Sequence, residues 1–220
     1  MKRSFINNEI AAGIKFLDGM KVKLPPFAYW TANDWKTKGP EYNEIRECML
    51  GWDITDFGSG NFESTGLLLF TIRNGIKDSK KHFKPYAEKC LIVKENQVTP
   101  MHYHYHKMED IINRGGGDLM IQVYNRDKDS GLAASPVEIN MDGKHSVVDA
   151  GTILCLTPGQ SITLPPFQYH KFWAQGGTVV VGEVSMVNDD NADNHFHEPK
   201  SRFSKIEEDE PAKFLLFSEC

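Results

Sequence analysis

The hydrophobic pattern begins with one clear helix near the N-terminus. Its apolar residues recur at spacings of four, four and three, the period of an amphipathic helix. They are Ile6, Ile10, Ile14 and Leu17. Ser4 is positioned to cap this helix, and Gly19 is positioned to end it.

Two shorter helices are predicted next. Thr31 and Asp34 form the pattern of a capping box, with Asp in place of the usual Glu. A second helix is predicted over residues 41–50 and ends at Gly51. Helical patterns are confined to this first third of the chain.

From about Gly66 onward the pattern changes to short β-rich runs separated by Gly, Pro, Asn and Asp. Asp142 and Gly143 have the composition of a two-residue hairpin turn. Eleven strands are predicted, over residues 67–73, 87–94, 98–105, 110–114, 119–125, 137–141, 146–149, 152–157, 161–164, 169–174 and 178–185. Because no helices separate these strands, the sequence predicts an all-β fold, either an antiparallel sandwich or a closed barrel.

This organisation predicts one domain over residues 1–220. Residues 66–220 form the barrel, and residues 1–65 form a helical extension. The extension is too small to stand alone, so we expect it to pack on the outside of the barrel or to cover an edge strand. The acidic residues 207–210 are interpreted as a solvated face.

Composition narrows the class of partner. The 220 residues carry a net charge of −5 with no basic patch, which argues against a nucleic-acid partner. No apolar run approaches the ~20 residues that span a bilayer, so no membrane partner is expected. The N-terminus lacks the apolar segment of a secretory signal. The four scattered cysteines are therefore expected to be free thiols in a reducing cytoplasm.

The histidine pattern predicts a metal site. His102, His104 and His106 alternate along a predicted strand, so their side chains project from the same face. His106 stands where this strand ends and is the weakest of the three. Crowded imidazoles repel one another when protonated, and a shared metal removes that conflict because it binds the neutral rings. Glu109 and His170 are further candidate ligands, whereas the alternative is a set of hydrogen-bonded histidines without a metal.

The same residues resemble the two motifs of the cupin barrel. The first motif is His102-x-His104, four residues, Glu109, six residues and Gly116. The second is Gly159, five residues, Pro165, one residue, Phe167, two residues and His170. Asn96 stands where the first motif has its leading Gly, and Asn tolerates the same left-handed turn geometry. Phe167 replaces a Gly and Ala174 replaces the terminal Asn, which leaves the metal ligands intact.

Further segments resemble the D-lyxose isomerase family over nearly the whole chain. They are residues 24–28, 50–53, 69–75, 99–102, 109–117, 182–185, 187–190 and 209–212. The resemblance implies a cupin-fold, manganese-dependent isomerase that interconverts D-lyxose and D-xylulose, and often D-mannose and D-fructose. It also implies that the metal ligands are His102, His104, Glu109 and His170. This ligand set suits Mn²⁺ but also accepts Fe²⁺, Ni²⁺, Co²⁺ or Zn²⁺.

Three imidazoles and one carboxylate leave two positions open on an octahedral ion, which fit the O1 and O2 oxygens of an open-chain sugar. We expect Glu183, a carboxylate in an otherwise apolar strand, to move a proton between C2 and C1. Its alternative position is the strand end at the barrel rim. Lys107 is the candidate donor to the developing oxyanion. A hydride shift is a second route that the sequence leaves open.

Substrate contacts are predicted from three further positions. Lys89 shares a strand face with Leu91 and Val93, which favours an inward lysine. Arg202 is a candidate partner for a sugar hydroxyl, and Asp189, with Asp190 and Asp193, could orient hydroxyls from a loop. For each of them, solvation at the surface is the alternative.

Other functions use similar residues. A cupin dioxygenase would use the same metal site with Fe²⁺ or Cu²⁺, but a set of two histidines and one carboxylate suits that chemistry better. A phosphosugar isomerase would need a cationic phosphate site, and the glycines at 115–117 indicate a tight turn rather than a phosphate loop. A sugar-binding regulator would usually carry a DNA-binding element. Exposed barrel edges favour a homodimer.

Overall fold

The computed structural model describes all 220 residues. Its first helix, α1, spans Arg3–Gly19 and confirms the helix predicted from the hydrophobic period. The predicted cap is wrong, because the helix begins after Lys2 and Ser4 lies inside its first turn. The backbone N–H and hydroxyl of Ser4 instead donate to the carboxylate of Asp209, so an acidic residue from the far end of the chain caps the helix.

Two further helices are short. α2 spans Ala32–Trp35 and has the predicted capping box between Thr31 and Asp34. α3 spans only Asn43–Glu47, after a 3₁₀ turn at Pro40–Tyr42, so the helix predicted over 41–50 is much shorter than expected. None of the helices is long and apolar enough to cross a membrane. Two other 3₁₀ turns occupy Pro26–Tyr29 and Phe217–Glu219.

Eleven strands make up the rest of the fold. They are β1 (Gly51–Thr55), β2 (Leu67–Arg73), β3 (Tyr86–Val93), β4 (Val98–His104), β5 (Glu109–Asn125), β6 (Val137–Met141), β7 (Lys144–Val148), β8 (Ile153–Leu156), β9 (Ser161–Leu164), β10 (Gln168–Met186) and β11 (Asn194–Phe196). All strand pairs are antiparallel, which confirms the predicted all-β antiparallel architecture.

The strand count agrees with the prediction, but the strands are not the same ones. β1 and β11 were not predicted, because β1 is buried along its whole length and shows no alternation, and β11 has only three residues. Residues 1–65 are therefore not entirely helical. In compensation, two predicted pairs of strands are single long strands, β5 and β10.

The strands form two facing layers that share β5 and β10. In the first layer the order is β1-β2-β3-β10-β5-β9-β6-β7, and it uses the C-terminal half of β10 with the N-terminal half of β5. In the second layer the other halves of the same two strands lie between β8 and β4, with β11 at the edge. Each long strand thus crosses from one layer to the other.

The crossing occurs at glycines. The register between β5 and β10 shifts next to Gly116, whose φ is +105°, and β10 bends at Gly176 and Gly177. A Cβ on Gly116 would overlap the carbonyl oxygen of Thr178, so the two strands approach each other closely there. The tight turn predicted at 115–117 is therefore wrong, and these glycines lie inside a continuous, bent strand.

Two apolar cores result. The first contains 18 buried residues and fills the space between the layers, including Leu91, Ile121 and Val181. The second contains 15 and lies outside the first layer, where Ile6, Ile10 and Leu17 of α1 join the outward residues of β1, β2 and β3. Helix α1 thus covers the outer face of the barrel.

Residues 207–210 are exposed, which confirms the predicted solvated face, but three of their side chains also contact the start of α1. Arg3 is buried and pairs with both Glu208 and Glu219, with 2.9 Å between its Nε and Oε2 of Glu208. Glu210 accepts a hydrogen bond from Asn7, 2.7 Å away. These contacts fasten the last residues of the chain across the start of α1.

The bend in the long strands gives a testable expectation. Gly116→Ala should lower the free energy of unfolding by ~3 kcal/mol or more, because it combines a positive φ with a clash against backbone. Gly176→Ala is the matched control, since its φ is +74° but nothing lies within 4 Å of its Cβ position; it should cost only ~1 kcal/mol. Urea unfolding measures both, and equal losses would show that the contact at Thr178 does not hold the bend.

Candidate active site

The candidate site is a cavity between the two layers. Its apolar wall is made of residues from the first core, such as Leu69, Leu91 and Phe172. The remaining lining is polar and charged and comes from β3, β4, β5, β10 and β11, from the loop between β4 and β5, and from the loop after β10. Phe172 points into the cavity, whereas its neighbour Trp173 on the same strand does not line it.

Three buried histidines meet at one end of this cavity. His102 and His104 lie on β4, and His170 lies on β10 directly opposite His102 in the strand register. One side-chain nitrogen from each of the three lies within 4.8 Å of the others. The alternation of the strand therefore brings the predicted histidines to one point, whereas His106 is exposed and does not join them.

Backbone contacts orient two of these rings. Nδ1 of His102 lies 2.8 Å from the carbonyl oxygen of Pro100, and Nδ1 of His170 lies 3.1 Å from that of Gln168. A carbonyl only accepts, so each Nδ1 must donate, which leaves a lone pair on each Nε2. Such contacts to the distal nitrogen are characteristic of histidines that ligate metals.

The rings also contain nitrogens with no hydrogen-bond partner. Nε2 of His170 and Nδ1 of His104 are both buried and make no directed hydrogen bond. Burial lowers the pKa of His102 well below its usual range and lowers that of His104, with further contributions from neighbouring imidazoles and from Lys107 respectively. Buried neutral imidazoles with unused lone pairs are the form that binds a metal ion.

Glu109 completes this group from the start of β5. Its Oε1 lies 3.1 Å from Nε2 of His170 and 3.3 Å from Nε2 of His104, and its Oε2 lies 2.8 Å from Nζ of Lys107. Burial alone would raise the pKa of Glu109, but Lys107 and His104 outweigh it and hold that pKa well below its usual range. A carboxylate kept ionised beside three converging imidazoles fits a divalent cation.

A chain of alternating charges extends from Glu109 through the cavity. Nζ of Lys107 lies 2.7 Å from Oε1 of Glu183, and Nζ of Lys89 lies 3.5 Å from the same oxygen. Burial acts to lower the pKa of Lys107, but Glu109 and Glu183 raise it above its usual value. Lys107 is therefore a charged donor between two carboxylates.

The chain of alternating charges continues to the loop after β10. Nζ of Lys89 lies 3.8 Å from Oδ1 of Asp190, whose Oδ2 lies 3.2 Å from Nη2 of Arg202. The same Nη2 lies 2.6 Å from Oδ2 of Asp53 on β1. Burial would raise the pKa of Asp190, but Arg202 and Lys89 hold it well below its usual range, and the two aspartates raise the pKa of Arg202 against burial.

Most of the predicted site residues come together in this cavity. Lys89, Lys107, Glu183 and Arg202 all line it, as do the histidines His102 and His104 and the carboxylate of Glu109. Glu183 is 5% exposed, so it is an interior residue and not a rim residue.

Two predicted residues do not line the cavity: His170, which joins the other two histidines from β10, and Asp189. Asp189 is exposed, and its Oδ1 accepts a hydrogen bond from the backbone of Asn191. Its neighbour Asp190 lines the cavity in its place. Asp193 is buried but accepts from the backbone N–H groups of His106 and Lys107, so it holds the loop that carries Lys107.

Sequence reasoning missed two buried residues. Asp53 lies on the unpredicted strand β1, and Asn188 accepts hydrogen bonds from Lys89 (2.7 Å) and Lys107 (3.3 Å). A carboxylate within the apolar run Gly51–Thr55 was the available signal for Asp53. No spacing pattern marks Asn188, because it lies in a loop.

Comparison with known proteins decides the family. The family model for D-lyxose isomerase matches residues 1–220. The chain belongs to the D-lyxose isomerase family. It is 46% identical to the D-lyxose/D-mannose isomerase of Escherichia coli O157:H7, over all of this chain and 98% of that protein. The D-lyxose/D-mannose isomerase of Serratia proteamaculans is also 46% identical, over all of this chain and 97% of that protein.

Two solved structures of other proteins are similar to this one in fold. The L-ribose isomerase of Cellulomonas parahominis has a TM-score of 0.63 at 14% identity, covering 94% of this chain and 98% of that chain. The L-ribose isomerase of Acinetobacter sp. DL28 has a TM-score of 0.55 at 12% identity, covering 90% and 93%. At such identities the likeness concerns the fold alone, and it confirms the cupin-like barrel expected from the two motifs.

The candidate metal ligands can be tested by measuring the metal content of variants. Wild-type protein dialysed against Mn²⁺ and then against buffer should retain about one ion per chain, measured by mass spectrometry of the metal. His104→Ala should retain far less, because it removes one of three converging imidazoles. His145→Ala is the control, since His145 is exposed on β7 and should bind like the wild type. Full retention by His104→Ala would mean that the ion binds elsewhere.

Proposed function

We propose that this protein is an aldose–ketose isomerase that interconverts D-lyxose and D-xylulose, and also D-mannose and D-fructose. The observation that carries the proposal is the full-length match to two D-lyxose/D-mannose isomerases, combined with a buried metal-ligand group beside Glu183 and Lys107. The proposed substrate is a small open-chain sugar, whose O1 and O2 oxygens would fit the two positions that four protein ligands leave open on an octahedral ion.

The proposed resident ion is Mn²⁺, held by His102, His104, Glu109 and His170. The donor set supports a divalent cation, and Co²⁺, Fe²⁺, Ni²⁺ or Zn²⁺ would also fit it. When bound, the ion supplies Lewis-acid polarisation of the sugar carbonyl. This ligand set does not by itself distinguish among these metals.

Glu183 is the proposed proton carrier. It lies inside the cavity and both lysines contact one of its oxygens, so its carboxylate is held in a fixed position. In the forward reaction it removes the proton from C2 and returns it to C1, while the hydroxyl proton of O2 passes to O1, so that C1 becomes a hydroxymethyl group and C2 becomes the carbonyl carbon. The neighbouring ammonium of Lys107 donates a hydrogen bond to the oxygen that gains negative charge.

Lys89, Asp190 and Arg202 are the proposed contacts for the sugar hydroxyls. Together they offer cationic donors and a carboxylate acceptor along one side of the cavity. Asp189, which was predicted for this role, is replaced in the proposal by Asp190 because only Asp190 lines the cavity.

Both Asp190 and Arg202 come from the chain after β10, which has no strand or α-helix apart from the three residues of β11. This segment therefore forms one wall of the cavity.

The proposal includes a cytoplasmic homodimer. All four cysteines are free, which suits a reducing compartment. Tyr86, Met108, Val184 and Met186 leave 41–53% of their surface exposed near one end of β3 and β10, which is an apolar area suited to a partner. Sedimentation equilibrium should give twice the mass of 24.9 kDa, and a monomer at micromolar concentration would contradict the dimer.

The activity is tested with D-lyxose and protein reloaded with Mn²⁺ after chelation. D-xylulose should form with the metal and not without it. Glu183→Gln should keep the ion but lower kcat by about 10²–10⁴-fold, because the amide cannot accept the C2 proton. Ketose can be followed by chromatography, and metal content by mass spectrometry.

Glu138→Gln is the matched control for this substitution, because Glu138 is exposed on β6 and lies outside the cavity. It should react at the wild-type rate. Full turnover by Glu183→Gln would place the base elsewhere. If the wild type forms no ketose from D-lyxose or D-mannose with any divalent metal, the proposed function is wrong, and oxygen uptake would then test the dioxygenase alternative.

A further inference from the structure

Asp53 lies behind the cavity wall, at the end of the charged chain farthest along it from Glu109. It is on β1 between Trp52 and Ile54, which both belong to the outer core, so its own side chain faces the barrel interior. Asp53 is 4% exposed but does not line the cavity. It can therefore affect a bound sugar only through another residue.

Both oxygens of this carboxylate are used. Oδ1 accepts from the backbone N–H of Ile54 at 2.9 Å, and Oδ2 accepts from Nη2 of Arg202 at 2.6 Å. The first contact fixes the carboxylate relative to the strand, and the second fixes the guanidinium relative to the carboxylate.

The guanidinium of Arg202 keeps a buried nitrogen that donates no hydrogen bond. Its Nη2 is shared between Asp53 and Asp190, while its Nη1 is buried and has no hydrogen-bond partner. The side chain lines the cavity. A buried donor without an acceptor is unfavourable, and a hydroxyl oxygen of a bound sugar would remove that penalty.

We propose that Asp53 is a positioning residue that holds Arg202 so that Nη1 donates to a hydroxyl of the bound sugar. This inference rests on the proposed function. Asp190 alone cannot fix the position of Arg202, because it lies in the same irregular segment as Arg202 and is also paired with Lys89. Asp53 connects that segment to a strand of the barrel, and therefore fixes Arg202 relative to the metal ligands.

The first test is Asp53→Asn in the Mn²⁺-loaded enzyme. Asparagine keeps the shape and can still accept from Ile54, but it lacks the charge, so the guanidinium should shift toward Asp190. The KM for D-lyxose should rise about tenfold or more, with a smaller change in kcat and unchanged Mn²⁺ content. Glu88→Gln is the control, because Glu88 pairs with Arg73 at 2.9 Å on β3 but faces away from the cavity; its KM should not change.

The second test is a double-substitution cycle with Arg202→Met. If Asp53 acts through Arg202, adding Asp53→Asn to Arg202→Met should change kcat/KM by less than about twofold. A merely structural role would instead give the same further loss in both backgrounds, and that result would overturn the inference. An unchanged KM in Asp53→Asn would also overturn it.

A fallback variant covers the case in which Asp53→Asn does not fold. Arg202→Lys keeps an ion pair with Asp53 but removes Nη1, so KM should rise as in Asp53→Asn, and an unchanged KM contradicts the inference. Wild-type turnover separates the two proposals. An active wild type with unaffected variants rejects only the role of Asp53, whereas an inactive wild type rejects the proposed function and this inference with it.

Discussion

The interior of this protein depends on one buried chain of alternating charges. Four carboxylates alternate with three cations from one side of the barrel to the candidate metal ligands. In order they are Asp53, Arg202, Asp190, Lys89, Glu183, Lys107 and Glu109. A single buried charge is costly, and removing one member of a buried pair typically costs ~3–5 kcal/mol. Each member is therefore required by its neighbours, and the barrel must bring all seven together.

This constraint explains the arrangement of the two layers. β5 and β10 cross between the layers at their glycines, so one strand can carry His170 in the second layer and Glu183 in the first. The histidines of β4 then face Glu109 of β5 across the cavity. The bends at Gly116 and Gly176 thus place the ligand group and the proposed proton carrier in one space. The apolar core fills the remainder of the barrel and separates the chain of alternating charges from water.

The site was predictable from sequence where it lies on regular strands. The two-residue period puts His102 and His104 on one face, and an acidic or basic residue in an apolar run, such as Glu183 or Lys89, indicates an inward position. Prediction failed where the contacts come from loops or from distant parts of the chain. The choice between Asp189 and Asp190 depends on how a loop turns, and the capping of α1 by Asp209 joins residues 205 positions apart.

Prediction of the strands failed for the same reason, because their neighbours come from distant parts of the sequence. β1 has no alternation because it is buried on both sides, one against the barrel interior and one against the 3₁₀ turns at Pro26–Tyr29 and Phe217–Glu219. In the sequence, the glycines at 115–117 indicate a turn that would end the strand. In the structure, the neighbouring strand β10 pairs with this segment and keeps β5 continuous. Phe167, with a φ of +63°, keeps a left-handed loop conformation where the cupin motif has Gly, so the position of His170 survives a departure that the sequence alone left open.

The most direct test of this account is a crystal structure of the protein with Mn²⁺ and an open-chain polyol that has the configuration of D-lyxose. The account predicts one ion bound by the three imidazoles and Glu109. It also predicts polyol oxygens on the open side of the ion, the Glu183 carboxylate next to the first two carbons, and Nη1 of Arg202 bonded to a hydroxyl. An ion at other residues, or a polyol bound outside the cavity away from Glu183, would contradict it.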